Sequence, residues 1–225
     1  MIMAMDDFNP MIQHNYLTHA HALKNKFILE SVVLGVTNII DWYCSVLNTT
    51  IDEFSELTQH ENYSMIKKYP ILMPYLSGIR TPHEHPNIEG SIFGLNLNTN
   101  KKNIAWAIIE GISFIFKECQ DILINNNYSF PKEIVLIGGG AKNIQWAKIL
   151  SSLLNVQILV PENQDYVASI GAIRLAMNNL TMSKYKPIFP ESNVIDVDLP
   201  LREILLERFD RYMEHQKLLF NLTNC

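Results

Sequence analysis

Three consecutive glycines, Gly138–Gly140, separate an apolar run from a stretch with helical periodicity. The run 133–137 has the length of a strand, and residues 144–154 repeat apolar side chains at helical spacing. Glycine has no side chain, so it allows positive φ angles and leaves backbone N–H groups accessible. The sequence therefore predicts a strand, a tight turn and a helix, the arrangement that places ligands at the carboxyl ends of strands in open α/β sheets.

Strand-like and helix-like segments alternate along the rest of the chain. The longest helical pattern, from Asn103 to about Asn125, is apolar nearly all round, which is typical of a buried helix. The other predicted segments are extended chain over 15–30, a helix over 31–46 with Ser31 as its N-cap, a helix from Ile51 with a capping box at Thr50 and Glu53, a strand over 71–75 followed by irregular chain to residue 98, a strand over 156–160, a helix over 167–177, a linker over 181–200 and an amphipathic helix from Leu201 to Phe220. This order indicates an α/β protein with a covered sheet.

Composition and charge narrow the functional classes. The formal net charge of −5 and the absence of a Lys/Arg cluster argue against a nucleic-acid surface. The longest apolar stretch, 104–116, is interrupted by Glu110 and is shorter than the roughly 20 residues that cross a bilayer. Three scattered cysteines indicate reduced thiols. We expect a cytoplasmic protein that binds neither nucleic acid nor a membrane.

The glycine turn by itself is compatible with several ligands. It is not a Walker A loop, because that motif has glycine directly before its lysine, whereas Ala141 directly precedes Lys142. A Rossmann-type dinucleotide site fits in part, since Gly138 and Gly140 match the first half of its motif and Glu162 lies where a ribose-binding acid would be. Asn143, however, occupies the third glycine position. A turn that binds no ligand fits these residues about as well.

The turn is one of four segments that occur in a fixed order. They are PYLSGIRTPHEHPNIEGSIFGL over 74–95, EG at 110–111, LIGGGAKN over 136–143 and SIGAIRLA over 169–176, with HAHAL over 19–23 and IIDW over 39–42 upstream. Together they resemble the C-terminal half of the FGGY carbohydrate kinases, most closely the xylulokinase branch of that family. The resemblance covers most of the chain, from roughly residue 8 to the last helix.

This resemblance implies a fold and a domain arrangement. The fold is the actin-like, ribonuclease-H-like ATPase domain, of which this chain would be the C-terminal half without its first strands. The kinase domain would span 8–180, followed by the linker and amphipathic helix over 181–225. In the family, ATP lies chiefly on this domain, the sugar lies mainly on the N-terminal domain, and the cleft between them closes for phosphoryl transfer.

The resemblance also implies cofactors and partners. ATP and Mg²⁺ are the cofactors, with most Mg²⁺ ligands missing from this chain. Sugar binding would need an N-terminal domain. The missing strands would leave an unpaired sheet edge, which we expect a companion chain or a second copy to cover.

Individual residues receive roles by the same resemblance. The residues assigned to ATP are Gly138, Gly139, Gly140 and Ala141 under the adenosine, Lys142 and Asn143 beside the base, and Gly35 close to the nucleotide. The residues of the loop facing the interdomain cleft are Ser77, Gly78, Arg80, Thr81, Pro82 and His83. Glu110 would be a buried carboxylate that holds this loop.

Two departures from the family limit the expected activity. Ile79 stands where the family usually has Glu. The catalytic Asp and the phosphate loop of the family precede the matched region, and Asp6 and Asp7 lack their glycine context. We therefore identify no catalytic residue and no metal ligand. We expect part of an enzyme that converts ATP and D-xylulose to ADP and D-xylulose 5-phosphate, inactive alone. A non-catalytic nucleotide-binding or interaction module and a Rossmann-type domain are the alternatives.

Overall fold

The computed structural model describes residues 1–60, 62–162, 166–181 and 191–223. The strands are β1 (Ile2–Met5), β2 (Leu17–Ala20), β3 (Phe27–Glu30), β4 (Ile71–Met73), β5 (Ser91–Phe93), β6 (Glu133–Val135), β7 (Gln157–Pro161) and β8 (Ser192–Ile195). The helices are α1 (Val36–Val46), α2 (Ile51–Leu57), α3 (Lys101–Asn125), α4 (Ile144–Leu154), α5 (Val167–Thr181) and α6 (Leu199–Thr223). Short 3₁₀ turns lie at Ile12–His14, Tyr63–Lys68 and Gly139–Lys142.

The described strands form three small sheets. β3 lies between β1 and β2, and both pairings are antiparallel. β4 and β5 form a second, antiparallel pair. In the third sheet, β6 pairs parallel with β7, and β8 pairs antiparallel with the other side of β7. The predicted strand–helix–strand unit is therefore confirmed, with α4 as the connection that a parallel pair requires.

Helix α3 forms the centre of the core. Its N-terminus is fixed by a reciprocal cap in which the side chains of Asn100 and Asn103 each accept the other's backbone N–H. Trp106, Ile108 and Phe114 are fully buried. The prediction of a buried helix is confirmed. None of the helices in the described ranges combines the length and apolar character needed to cross a bilayer.

The two shorter helices near the N-terminus begin in different ways. In α2, Thr50 accepts the N–H of Glu53 while the Glu53 carboxylate accepts the N–H of Thr50, so the predicted capping box is confirmed. The prediction that Ser31 caps α1 is wrong. The Ser31 N–H instead donates to the Met1 carbonyl and extends the β1–β3 ladder. α1 begins five residues later, after Gly35 with φ of 69°.

Other boundaries also differ from the predictions. β6 ends at Val135 rather than residue 137, and Val135 is 44% exposed, so one face of this strand is not covered. β5 lies inside the stretch predicted as irregular. Within the predicted linker over 181–200, residues 182–190 lie outside the described residues, and Ser192–Ile195 form β8. Both missed strands are short and lack a continuous apolar run, so their pairing depends on contacts with strands distant in sequence.

A buried ion pair joins the two longest helices. Arg208 of α6 donates through Nε and Nη2 to both carboxylate oxygens of Glu110 on α3, at 2.7 and 2.6 Å. Arg208 also donates to the carbonyls of Tyr69 and Pro70, each at 3.0 Å. Trp106 Nε1 completes the set by donating to Glu110. All guanidinium hydrogen bonds therefore end on α3 or on the residues just before β4.

We predict that Arg208→Met destabilises the fold strongly. Removing the guanidinium leaves Glu110 buried without its charge partner, which typically costs about 3–5 kcal/mol. Urea denaturation followed by circular dichroism measures this loss. The matched control is Glu207→Gln, which breaks the exposed Lys67–Glu207 pair on the same helix and should leave the urea midpoint nearly unchanged. A midpoint for Arg208→Met close to wild type would contradict the prediction.

A second prediction concerns pH and His60. The imidazole packs edge-on against Trp106, and burial, followed by the nearby charge of Lys102, lowers the pKa of His60 to about 4. Between pH 6.5 and about 4 the unfolded chain binds a proton that the folded chain excludes, so stability falls as the pH falls through this window. His60→Phe, which cannot titrate, should flatten the fall in urea midpoint from pH 7 to pH 5. Equal slopes in both proteins would contradict this assignment.

Candidate functional site

The glycine turn borders a groove of about 360 Å³ between α1, α2 and the start of α4. We call it the glycine groove. It is lined by Thr37, Ile40, Asp41, Ile51, Asp52, Phe54, Ser55, Gly139, Gly140, Lys142, Asn143 and Trp146. Ile40, Phe54 and Trp146 form a buried apolar floor, whereas Asp41, Asp52 and Lys142 are exposed polar groups of the rim. An apolar floor with few polar groups suits a planar organic ligand with polar edges.

The three glycines have three different physical roles. Gly138 has φ of +85°, a conformation that L-residues rarely adopt. A Cβ on Gly140 would lie 2.7 Å from the Trp146 ring, so packing within the protein excludes a side chain there. A Cβ on Gly139 would meet nothing within 4 Å. Gly139 is thus the one of the three whose missing side chain neither backbone strain nor a protein contact explains.

Asn143 holds the turn against α2. Its Oδ1 accepts the N–H of Trp146 at 3.0 Å and so caps α4, and its Nδ2 donates to Thr58 Oγ1, also at 3.0 Å. Thr58 is fully buried at the end of α2. The Asn143 side chain therefore caps α4, which forms one wall of the groove, and attaches α4 to α2, which forms the opposite wall.

The remaining residues predicted for ATP lie at or near the turn, with one exception. Gly139, Gly140, Lys142 and Asn143 line the groove, Gly138 shapes its entrance turn, and Ala141 is buried in the core. Gly35 does not line the groove. It lies at the start of α1 against the cleft loop, where a Cβ would come within 3.1 Å of Ser77 Oγ. The structure therefore brings Gly35 to Ser77 rather than to the glycine turn.

The predicted cleft loop, Ser77–His83, is tied to the N-terminal sheet. Thr81 is buried, and its hydroxyl donates to the Asn15 carbonyl and accepts the N–H of Val32. Gly78 has φ of +73°, and a Cβ there would lie 2.5 Å from the Pro86 carbonyl oxygen. Pro82 is buried, whereas Ser77, Arg80 and His83 are exposed. Ile79, at the position where the family usually has Glu, is buried among apolar side chains.

Glu110 is buried as predicted, but its partner is not the cleft loop. Its carboxylate is used by Arg208 and Trp106. The carboxylate that reaches the loop is Glu118, two turns further along α3, which hydrogen-bonds His83. The prediction that Glu110 holds the loop is corrected accordingly: Glu110 bonds Arg208 and Trp106, and Glu118 is the α3 carboxylate that bonds the loop, through His83.

Glu118 belongs to a buried polar chain that the sequence reasoning did not find. Gln216 Nε2 donates both to Glu118 and to the Tyr75 hydroxyl, at 3.0 and 2.8 Å. The Tyr75 and Tyr212 hydroxyls are 2.6 Å apart, and burial raises the pKa of both. The available signal was weak: Arg208 and Gln216 interrupt the apolar stripe of α6, and Glu118 follows Glu110 by eight residues on one helix face.

Potential metal ligands are sparse in the described residues, which bring together no group of three His, Cys, Asp or Glu side chains. His83 pairs with Glu118, and Asp41 and Asp52 are the carboxylates of the glycine groove. Glu162, the acid of the Rossmann alternative, is exposed after β7 and does not line the groove. Because β8 joins β7 antiparallel, the sheet also lacks the third parallel strand of a Rossmann half in the described part of the chain.

Comparisons with known proteins identify the relatives of this chain. The model of the FGGY family of carbohydrate kinases, C-terminal domain, matches residues 2–180. Xylulose kinase of Escherichia coli K12 is 29% identical over 199 residues, which are 87% of this chain and 39% of that protein. Xylulose kinase of Staphylococcus xylosus is 32% identical over 158 residues, or 70% of this chain and 32% of that protein. The chain thus spans about a third to two fifths of these relatives.

Solved structures agree. The crystal structure of a xylulose kinase from Brucella ovis superposes with a TM-score of 0.89 at 25% identity, over 98% of this chain and 46% of that one. Plasmodium falciparum glycerol kinase with ADP gives a TM-score of 0.75 at 22% identity, over 89% of this chain and 42% of that one, and this likeness shows the fold alone. The actin-like α/β fold is therefore confirmed. β8 and α6 lie beyond residue 180 and nevertheless pack into the same core.

We predict that alanine substitutions separate the roles of the three glycines. Gly140→Ala should lower stability by about 1–3 kcal/mol, because the new methyl overlaps Trp146. Gly138→Ala should cost roughly 1–2 kcal/mol through left-handed backbone strain. Gly139→Ala is the matched control and should leave stability close to wild type. Urea midpoints of the three variants test the order, and equal losses at all three positions would contradict it.

Proposed function

The chain belongs to the FGGY family of carbohydrate kinases and corresponds to their C-terminal domain, and we propose that it supplies the ATP-binding side of a xylulose kinase. The glycine groove is the proposed ATP site. Gly139 carries this proposal, because its open backbone faces the groove at the end of a parallel strand. ATP and Mg²⁺ are the proposed cofactors, and an intracellular location remains a prediction.

The groove offers an adenine nucleotide distinct contacts. Ile40, Phe54 and Trp146 supply an apolar surface for the base, and Gly139 lets the ligand approach the backbone. Lys142 supplies a positive charge on the rim. The Asp41 carboxylate at the opposite wall can accept a hydrogen bond from a ribose hydroxyl or from the amino group of the base. The ADP in the glycerol kinase structure is a property of that enzyme, but it is in line with this proposal.

The residues present fit ATP better than a resident Mg²⁺. In phosphoryl-transfer sites, Mg²⁺ keeps several waters and is held by one or two carboxylates together with substrate phosphates. Asp41 and Asp52 are the groove carboxylates, and the metal, when bound, neutralises phosphate charge. We propose that Mg²⁺ enters with the nucleotide.

Sugar phosphorylation is proposed to require more chain than these 225 residues. The relatives are more than twice as long, and the family resemblance places the catalytic Asp and the sugar pocket outside the matched region. A general base contributes roughly 10²–10⁴-fold, and positioning in a closed cleft contributes more. The second candidate is a nucleotide-binding module without catalysis, which Ile79 favours because it removes a family carboxylate from the cleft loop.

We predict that the chain binds ADP and that Gly139→Val weakens binding at least about tenfold, since its branched side chain fills the ligand space. Isothermal titration measures the affinity, and Trp146 in the groove floor provides a fluorescence signal. The matched control is Glu162→Gln, which should bind ADP like wild type. Wild-type protein that binds NAD but not ADP, with NAD binding lost in Glu162→Gln, would contradict the kinase assignment. No binding of either would contradict the proposed site.

We also predict that the 225-residue protein does not phosphorylate D-xylulose. A coupled assay with ATP, Mg²⁺ and D-xylulose should stay at the rate of a blank without protein. The Gly139→Val variant serves as the background control, because it lacks the proposed nucleotide site. Turnover above the blank that disappears in this variant would show that the catalytic groups lie within these residues.

A further inference from the structure

A second pocket, of about 690 Å³, lies between the end of α2, the 3₁₀ turn Tyr63–Lys68 and the starts of α3 and α4. We call it the lysine pocket, because Lys102 and Lys148 line it together with the buried Gln145. Helices α2 and α4 contribute to this pocket and to the glycine groove, but the two cavities share no lining residue. The proposed function leaves the lysine pocket without a role.

The two lysines give the pocket a positive charge. Among the described residues, no carboxylate forms an ion pair with either ammonium group within 4.0 Å. Glu56 is the acidic residue of the lining, so two lysines against one glutamate leave an excess of one positive charge. Burial, followed by the charge of Lys102, lowers the pKa of His60 to about 4, so this imidazole is neutral at pH 7. The cations of the pocket are therefore Lys102 and Lys148.

Two helices also begin at this pocket. Lys102 is the second residue of α3 and Gln145 is the second residue of α4, which are 25 and 11 residues long. Neither helix has an acidic residue in its first turn. The first turn of a helix carries a partial positive charge, which attracts anions and disfavours a lysine. An anion bound beside Lys102 relieves this repulsion.

A buried amide in the wall of the pocket has no partner. Gln145 is 1% exposed, and its Nε2 makes no hydrogen bond to the described residues. Leaving a buried donor unpaired is costly, and proteins rarely do so. The other buried glutamines follow that rule: Gln120 donates to the Leu154 carbonyl at 2.7 Å, and Gln216 donates to two side chains. Because Gln145 lines the lysine pocket, a ligand in this pocket is the partner that the chain itself does not supply.

The rest of the lining is mostly neutral and polar. Gln59, Asn62 and Tyr69 bring amide and hydroxyl groups, which both donate to and accept from the hydroxyl groups of a ligand. Met65 is apolar but 54% exposed, so the pocket lacks the buried apolar floor of the glycine groove. This lining suits a small hydroxylated anion better than the planar base of a nucleotide.

We propose that the lysine pocket binds a small phosphate ester that carries hydroxyl groups, at a site separate from the proposed ATP site. The phosphate lies between Lys102 and Lys148 and accepts a hydrogen bond from Gln145. Charge-assisted hydrogen bonds from two ammonium groups suit a group with two negative charges. The hydroxyl groups of the ester meet Gln59 and Asn62. The proposal does not depend on nucleotide binding, because the glycine groove contributes none of these residues.

The test titrates the 225-residue protein with glucose 6-phosphate as the probe and follows binding by NMR. We expect a saturable shift of the Gln145 side-chain NH₂ signal. Lys102→Gln and Lys148→Gln should each weaken binding at least about tenfold, because each removes one charge-assisted hydrogen bond to the phosphate. Lys148 is an exposed side chain, so its variant should fold normally. Inorganic phosphate should bind more weakly than the ester, and glucose should not bind.

Two further variants act as controls. Lys24→Gln removes an exposed lysine that does not line the pocket, and it should bind glucose 6-phosphate like wild type. Gln145→Leu removes the unpaired amide but keeps a side chain of similar size. It should weaken binding about tenfold or more and leave the urea midpoint unchanged or higher, because the amide makes no hydrogen bond within the described chain. A marked fall in its midpoint would show that the amide serves the fold instead.

Four other results would overturn the proposal. They are no saturable binding of glucose 6-phosphate, binding that both lysine variants leave unchanged, equal binding of inorganic phosphate and the ester, and binding that Gly139→Val abolishes. The last result would place the ester in the glycine groove. ADP binding separates this failure from failure of the proposed function. A chain that binds ADP but not glucose 6-phosphate refutes only the ester site, and Lys148→Gln should bind ADP like wild type.

Discussion

The ion pair between Arg208 and Glu110 is the interaction on which the rest of the arrangement depends. It joins α6 to α3, each 25 residues long, and through Tyr69 and Pro70 it also fixes the entry to β4. The chain leaving β4 becomes the cleft loop. A buried pair gains little net stability, because desolvation opposes the Coulomb attraction. Its contribution here is geometric. The guanidinium of Arg208 carries five N–H donors in a rigid plane, so its hydrogen bonds set the position of α6 relative to α3 and to the residues before β4.

Two carboxylates on one helix therefore have different tasks. Glu110 is neutralised by a permanent cation and acts within the core. Glu118 is bonded to Gln216 and to His83, a residue at the surface of the cleft loop. Glu110 fixes α3 against α6, and Glu118 attaches the cleft loop to α3 through His83. Beside them, the hydroxyls of Tyr75 and Tyr212 lie within hydrogen-bond distance, and Gln216 links Tyr75 to Glu118, so these four buried side chains satisfy one another.

The sequence predicted best what is determined locally. The capping box at Thr50, the buried helix α3 and the turn at Gly138–Gly140 follow from residues within a few positions of one another, and all three are present. Ser31 failed as a helix cap because it continues the pairing with β1, and α1 begins only at Val36, after Gly35. β5 and β8 were missed for the same kind of reason, since each is defined by pairing with a strand some 20 to 40 residues earlier in the sequence.

The residues of the candidate site divide in the same way, into those predictable from neighbouring residues and those that depend on distant ones. Gly139, Gly140, Lys142 and Asn143 line the groove because chain connectivity places them at one turn. Asp41 and Asp52 on the opposite wall carry no local signal for such a role. Glu110 was recognised as buried from its apolar helix, yet its partner Arg208 lies 98 residues away, and no spacing rule relates the two. Tertiary pairing of charges is what single-sequence reasoning could not supply.

The floor of the glycine groove is fixed by a hydrogen bond between Trp146 and the buried helix α3. The indole N–H of Trp146 donates to Ser113 Oγ on α3 at 3.0 Å, and the six-membered ring of the indole lies next to Gly140. Ser113 is fully buried on α3. The Trp146 ring that a molecule entering the groove would contact is therefore held in place by a hydrogen bond to the core. The entropic cost of association falls on the ligand and on a few long rim side chains, which is the condition under which modest contact area gives useful affinity.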